Sequence, residues 1–305
     1  GNNSPKMGKY IGSKGTGFRS ILNWADTIKI FSGDFAVEFS KKNADYLLKS
    51  IMYEPQIKKQ LTIQKRKGES LYIPMLAVPR NIKHTEAKEL TTIEVELNPA
   101  KLKDDYSVEK QLSSMDLRIL LFLPNLSSID IVIDDEQLNY SRRIFDTATD
   151  PDDGIQSCRM ELTRMRNGES DHIENFTLFR KTLPQALSES EGEAPKDIQL
   201  AIAIPESKDM GIGHVYSYFP LLETDSPFRC VLHATYSLGD HRNTLTSSEI
   251  NKRVFKEQLN FLLEVAEKLI ARNRYADVYR ILLPSNFNQN VNKWEFPSAF
   301  SKFNR

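Results

Sequence analysis

The sequence has no excess of charge of either sign: Lys+Arg and Asp+Glu both number 41, so the formal net charge is zero. A bulk electrostatic case for nucleic acid is therefore missing, and only a local basic patch would attract a polyanion. Long apolar runs are missing as well. No stretch approaches the roughly twenty residues needed to span a bilayer, and the opening GNNSPKMGKY has no signal-peptide core. No membrane partner is expected. The two cysteines, Cys158 and Cys230, need not pair and suit a reducing compartment, so the expectation is a soluble cytoplasmic protein.

The five histidines (His84, His172, His214, His233, His241) form no zinc pattern. Cys230-x-x-His233 is isolated, and on a strand residues three apart point to opposite faces, so no metal ligand is read from the chain. There is no G-x-S-x-G elbow, no helix bearing a phospho-acceptor histidine, and no internal repeat. With 305 residues, 40% hydrophobic and 27% charged, the chain has material for two globular domains.

What is present is concentrated near the start. In Gly12 to Asp26, GSKGTGFRSILNWAD, three glycines stand at G-x-x-G-x-G (Gly12, Gly15, Gly17). Phe18, Ile21, Leu22 and Ala25 follow at helical spacing, which predicts a glycine loop opening an amphipathic helix. Glycines leave no side chain between backbone and ligand, and a helix N-terminus adds about half a positive charge. The stretch therefore reads as a phosphate cradle or, more plainly, as a turn. It is not a Walker loop, because Gly8-Lys9 is followed by Tyr10 and no glycine lies five residues before Gly8. Nor is it a dinucleotide fingerprint, because Gly15-Thr16-Gly17 is followed by Phe18, Arg19 and Ser20.

IGSKGTGFRSILNWAD with the strand-like TIKIFSG after it resembles the second glycine box of the GHKL ATPases, the superfamily of gyrase, the ninety-kilodalton heat-shock chaperones, histidine kinases and MutL. The I-G-x-K-G-x-G-F-[KR]-S form is most similar to the sacsin-type bacterial branch. The resemblance implies that Gly12, Lys14, Gly15, Thr16, Gly17 and Phe18 close a lid over the phosphates of ATP. Thr91-Thr92-Ile93-Glu94-Val95-Glu96-Leu97 resembles the last sheet strand of such domains, which would set Thr91 near the purine. Leu90 stands where the family has glycine, and a β-branched residue such as Thr91 also suits a strand for its own sake. In the family, a helix with a general-base Glu and a magnesium-holding Asn, and an adenine-reading Asp-x-Gly loop, precede the lid. Asp209-Met210-Gly211-Ile212-Gly213 spells D-x-G-x-G but lies on the wrong side of it. The sequence therefore reads as the latter half of the nucleotide site, with the protein ligand of Mg2+ expected upstream.

Along the chain, Thr27–Phe31 and Phe35–Phe39 read as a hairpin around Ser32-Gly33-Asp34, and Asn43 as the cap of a helix through Met52. Lys58 to Ser70 reads as a solvated basic connection, or a polyanion contact, and Leu71 to Val78 as a strand. Val108 to Phe122 reads as one helix stopped by Pro124, with Leu112, Met115, Ile119 and Phe122 on one face. Strands are predicted at Ile129–Ile133, Leu138–Ile144, Gln156–Leu162, Asn175–Leu178, Ile198–Ile204, Val215–Phe219 and Cys230–Tyr236, with 188–196 an exposed acidic loop.

The block from His214 to Leu245 resembles the sacsin-type segment in which strands lead to a [ST]-x-x-R loop, and the chaperone middle segment whose loop arginine enters the ATP site. That arginine is Arg242 here. Thr246-x-x-Glu249 reads as a capping box opening a helix to about Arg272, with Ile250, Val254, Leu259, Leu262, Ala266 and Leu269 as its apolar stripe.

The expected architecture is thus α+β: residues 1–100 as the C-terminal half of a GHKL two-layer α/β sandwich, 101–245 as a mixed α+β transducer, and 246–305 as a helical segment packed on it. The function implied by the resemblance is an ATP-binding and hydrolysing clamp, chaperone-like or defence-related, with nucleotide, protein clients or a partner subunit (a homodimer included) as partners. The competing reading is an interaction scaffold, nucleotide-gated or inactive, that performs no catalysis.

Overall fold

A computed structural model describes residues 18–19, 21–64, 71–83, 88–101, 107–187, 196–207, 214–226, 228–239 and 244–282. The fold is α+β, with one four-stranded and one eight-stranded sheet. The chain divides into two compact units, one over 12–111 and the other holding the residues from 112 onward.

In the first unit, β1 (Ala25–Gly33) and β2 (Phe35–Ser40) form the expected antiparallel hairpin. Ser32 faces Phe35 across the Gly33-Asp34 turn, where Gly33 has φ 56°, a conformation glycine adopts without a Cβ clash. The sheet order is β3 (Arg80–Asn81), β2, β1, β4 (Lys88–Leu97). The helix predicted over 18–26 is cut short. Phe18 and Arg19 are helical, a 3-10 turn occupies Ile21–Asn23, and Ala25 is already in β1. Hydrogen bonds from Asn98 N to Trp24 O (2.7 Å) and from Asn98 Nδ2 to Asp26 Oδ2 (2.6 Å) hold this segment extended, so tertiary pairing overrides the local stripe.

Helix α1 (Lys41–Met52) is capped by Ser40, not Asn43: the Ser40 hydroxyl accepts from Asn43 N at 3.2 Å, and Asn43 Nδ2 turns back to Glu38. The basic stretch predicted as a connection is helical in its first half, α2 (Pro55–Gln64), opened by a proline at the position where a missing N–H costs nothing. The strand predicted over 71–78 does not form. Pro74 and Pro79 remove ladder donors, and Met75–Ala77 closes a 3-10 turn instead.

The eight-stranded sheet of the second unit runs β11-β10-β12-β9-β8-β7-β6-β5. Its meander is β5 (Ser128–Ile133), β6 (Glu136–Thr149), β7 (Gln156–Arg166), β8 (Glu169–Leu187) and β9 (Lys196–Pro205), all antiparallel. Asn167-Gly168, both at positive φ, turns β7 into β8, and β8 extends well beyond the predicted Asn175–Leu178 at both ends. The predicted strand Val215–Phe219 is broken at Tyr218 (φ 66°) into β10 (His214–Ser217) and β11 (Phe219–Asp225). β12 (Val231–Ala234) lies parallel to β10 and antiparallel to β9.

Both faces of this sheet are covered, which is why β9 carries an unbroken apolar run. Ile198, Leu200, Ile202 and Ile204 face a core shared with α4 (Glu249–Ala271) and α5 (Tyr275–Leu282), while Ala201 and Ala203 face a second core beneath Leu117–Leu123. Val254, Leu259, Leu262, Ala266 and Leu269 of the predicted stripe are buried and Ile250 packs at its margin. The cap of α4 is Ser248, whose hydroxyl accepts from Asn251 N; Thr246 binds Ser237 O instead of completing a capping box.

The single helix predicted over 108–122 is two pieces: α3 (Val108–Ser113) and a 3-10 segment at Leu117–Leu121. Asp116 separates them. Its extended backbone and a bond from Arg118 N to its carboxylate (2.9 Å) start the second piece, in which every residue from Leu117 to Leu123 except the half-buried Arg118 is buried, rather than one stripe.

Candidate functional site

Of the residues expected to bind nucleotide, Gly12, Lys14, Gly15, Thr16, Gly17 and Arg242 lie outside the described residues, as does Asp209–Gly213. Phe18 is helical and half-buried. Thr91 is exposed on β4, and its hydroxyl lies 2.9 Å from that of Ser32 on β1.

The ground from which Arg242 springs is well defined. Residues 240–243 connect two short segments that pair through Leu238 and Leu245, with Gly239 N donating to Thr244 O at 3.0 Å and Thr246 N to Ser237 O at 3.1 Å. Asn251, in the first turn of α4 and fully buried, clamps this stem. Its Oδ1 accepts from Ser237 N, and its Nδ2 donates to Ser237 O and Thr246 O, all at 2.8 Å. Tyr236 and Leu245 anchor the stem in the helix-side core, with the Tyr236 ring 5.0 Å from Phe255. The two segments that flank residues 240–243 are thus fixed by both apolar packing and a hydrogen-bonded amide.

The same sheet also bears a cleft of about 390 Å³ that the sequence did not disclose. Four elements build it: the 114–118 turn, β7, β8 and β10. Arg164 on β7 pairs with His172 on β8, and Leu162 with Glu174, so Arg164, His172 and Glu174 share the face that carries the second core and extend it with charge. Arg118 binds Glu174 bidentately, Nε to Oε2 at 2.9 Å and Nη2 to Oε1 at 2.7 Å, and His172 Nε2 lies 3.2 Å from the same Oε1. The Tyr216 hydroxyl donates to Asp116 Oδ2. Asp171, the extra residue where the β7–β8 register shifts, accepts from both Nε and Nη2 of Arg164 at 2.7 and 2.6 Å.

The electrostatics follow from burial and pairing. Burial raises the Glu174 carboxyl, but the hydrogen bonds and charge of Arg118 outweigh it and leave the group below its ordinary value. Burial likewise works against the Arg118 cation, and Glu174 more than restores it. Burial, then Asp116, drives the Tyr216 hydroxyl far above its ordinary value, so it remains a donor.

The other end of the Leu117–Leu121 segment is held differently. Arg142 donates to the carbonyls of Leu120, Leu123 and Pro124, and Arg180 to that of Leu121; among the described residues neither arginine meets a carboxylate. Burial and, for Arg142, the nearby Arg180 lower both guanidinium pKa values. Backbone carbonyl dipoles do the work of a counter-charge there. His233, stacked on Phe122 at 4.8 Å and accepting from Tyr218 N through Nδ1, is pushed down to about 3 by burial, then by Arg180. It is a neutral core residue on one face of the sheet while Cys230 sits in the core on the other. Among the described residues no group of His, Cys, Asp and Glu is placed to hold a metal.

The local signals for the cleft were slight: a His-x-Glu alternation at 172–174, and Asp116-x-Arg118 inside the helix predicted over 108–122. Comparison with family models, curated proteins and solved structures gives no match to this chain.

Proposed function

We propose that this chain is part of an ATP-operated clamp of the GHKL class, in which the Gly12–Phe18 box receives the phosphates and Arg242 engages the γ-phosphate. The observation that carries the reading is the stem under residues 240–243. Burying a primary amide costs free energy unless it is fully hydrogen-bonded, and leaving its partners unsatisfied costs about 1–3 kcal/mol. Asn251 spends its amide on the two segments of that stem, which fixes the residues on either side of 240–243. Such rigidity suits a residue that must meet a ligand atom from a loop.

The donor set fits a polyphosphate. Backbone amides at three glycines, Lys14, Thr16 and the planar fork of Arg242 all donate, and a guanidinium can hold two phosphate oxygens together. Magnesium would arrive with the nucleotide, and no described residue group is placed to ligate it. Two supports are more general: the glycine box runs into the β1–β2 hairpin, and Thr91 sits on an exposed strand face beside Ser32. No helix among the described residues is long and apolar enough to cross a membrane.

Gly17→Asp tests the cradle. A carboxylate where backbone meets phosphate adds bulk and like charge, so binding of a labelled ATP analogue should weaken at least about tenfold with the circular dichroism spectrum unchanged. Undiminished affinity would reduce the box to a turn. Tight binding with no turnover, even in a chain that carries an upstream Glu–Asn helix, would favour the scaffold over the enzyme.

A further inference from the structure

We infer that the cleft between Arg118, Arg164 and His172 is a second ligand site, for a small organic oxyanion. The argument rests on which hydrogen-bonding groups are already committed. Both Asp116 oxygens are taken, Oδ1 by Arg118 N and Oδ2 by the Tyr216 hydroxyl. Both Glu174 oxygens are taken by Arg118, and Oε1 also meets His172. The donors are not exhausted. Arg118 and Arg164 each engage a carboxylate through Nε and Nη2 alone, so Nη1 of each carries two N–H groups that meet no described residue. The surplus is therefore of donors, and they belong to planar, charged groups held in place by carboxylates.

A guanidinium whose orientation is fixed by one carboxylate loses little entropy when it binds a second acceptor. The two guanidinium charges are already balanced by Glu174 and Asp171, so the complement of this lining is set by its unspent donors: a group with several acceptor oxygens. About 390 Å³ exceeds what one inorganic anion fills and falls within the range of small-molecule sites, and Met115 and Leu117 give the rest of a ligand an apolar wall. Phosphate and carboxylate share the required chemistry.

The cleft's lining, Arg118, Arg164, His172 and Glu174 among it, shares no residue with the proposed nucleotide contact.

The test is calorimetric titration of the whole chain with inorganic phosphate and, separately, with succinate, against sodium chloride at matched ionic strength. The expected result is saturable binding of at least one oxyanion that Arg164→Gln weakens at least about tenfold and that Gly17→Asp and Arg242→Ala leave unchanged. Which of the two binds more tightly identifies the ligand's anionic group. His172 ring resonances should shift in step with the same titration. Failure of both anions to bind above chloride, or binding indifferent to Arg164→Gln in a protein of unchanged circular dichroism, would overturn the inference. Binding abolished by Gly17→Asp would assign the anion to the glycine box instead.

Discussion

The two units bury their apolar residues very differently. In the first, the buried hydrophobic residues are Ala25, Ile28, Phe31, Ala36, Val37 and Ala44, while Phe35, Tyr46, Tyr53, Tyr72, Leu90 and Ile93 are exposed. In the second, two cores flank one sheet and β9 is buried on both faces. Burial stabilises by about 25 cal/mol per Å² of apolar surface, so among the described residues the second unit holds more of the stabilising area. The difference teaches where rigidity resides. The segments flanking residues 240–243 and the cleft grow from a well-packed platform, whereas Thr91 and β1 belong to a lightly packed sheet. Amide exchange should accordingly be faster in β1, β2 and β4 than in β8 and β9. Equal protection would break the comparison.

Core substitutions sharpen it most. Phe179→Ala removes a fully buried ring from the helix-side core and should cost about 3–5 kcal/mol by urea denaturation. Ile28→Ala should cost about 2–3 kcal/mol, the lower end for such a change, because the sheet around it can relax. A larger loss at Ile28 would contradict the difference in packing.

Next in size is Asn251→Ala, which leaves Ser237 N–H and two carbonyls without their buried partner. A loss of about 1–3 kcal/mol is expected, together with faster exchange at Ser237 and Thr246. A neutral result would remove the argument that the stem is rigidly set.

Acid and alkali act on the cleft with opposite signs. Glu174 lies below its ordinary value in the folded protein, so its contribution is fully present above that value and is lost as pH falls through the folded pKa. Glu174→Gln should therefore flatten the acid limb of the stability curve. Tyr216 lies above its ordinary value of 10.0, so its contribution holds below about pH 10 and is lost as pH rises past it; Tyr216→Phe should flatten the alkaline limb. Unchanged limbs would deny that these groups are coupled to folding. The smallest effect belongs to the exposed Glu249–Lys252 pair, where Lys252→Ala should change stability by less than about 1 kcal/mol.

Much of the fold was legible where one physical rule governed a segment. The β1–β2 hairpin, the meander strands and the stripe of α4 all show their period and their breakers. Legibility failed where distant groups decided. Asp116 ended a helix that periodicity extended to Phe122, and Asn98 held Trp24 and Asp26 out of the helix begun at Phe18. Pro74 and Pro79 stand in plain sight, yet the apolar run from Leu71 to Val78 has strand character, and only the loss of their ladder donors turns it into a 3-10 turn. The cleft was nearly invisible because its bonds join residues 56 and 100 positions apart, and nothing local specifies such a meeting. Conversely, the glycine box and Arg242 were found from the sequence, by resemblance, and lie outside the described residues.

Under the proposed function, Arg242 engages the γ-phosphate of ATP. The direct test compares ATP turnover and ADP affinity of Arg242→Ala with the parent, in a chain that carries the upstream Glu–Asn helix. Turnover should fall at least about tenfold, equivalent to roughly 1.4 kcal/mol at the transition state, while ADP, which has no γ-phosphate, should bind as before. Undiminished turnover, or a loss of ADP binding as large as the loss of turnover, would contradict the claim.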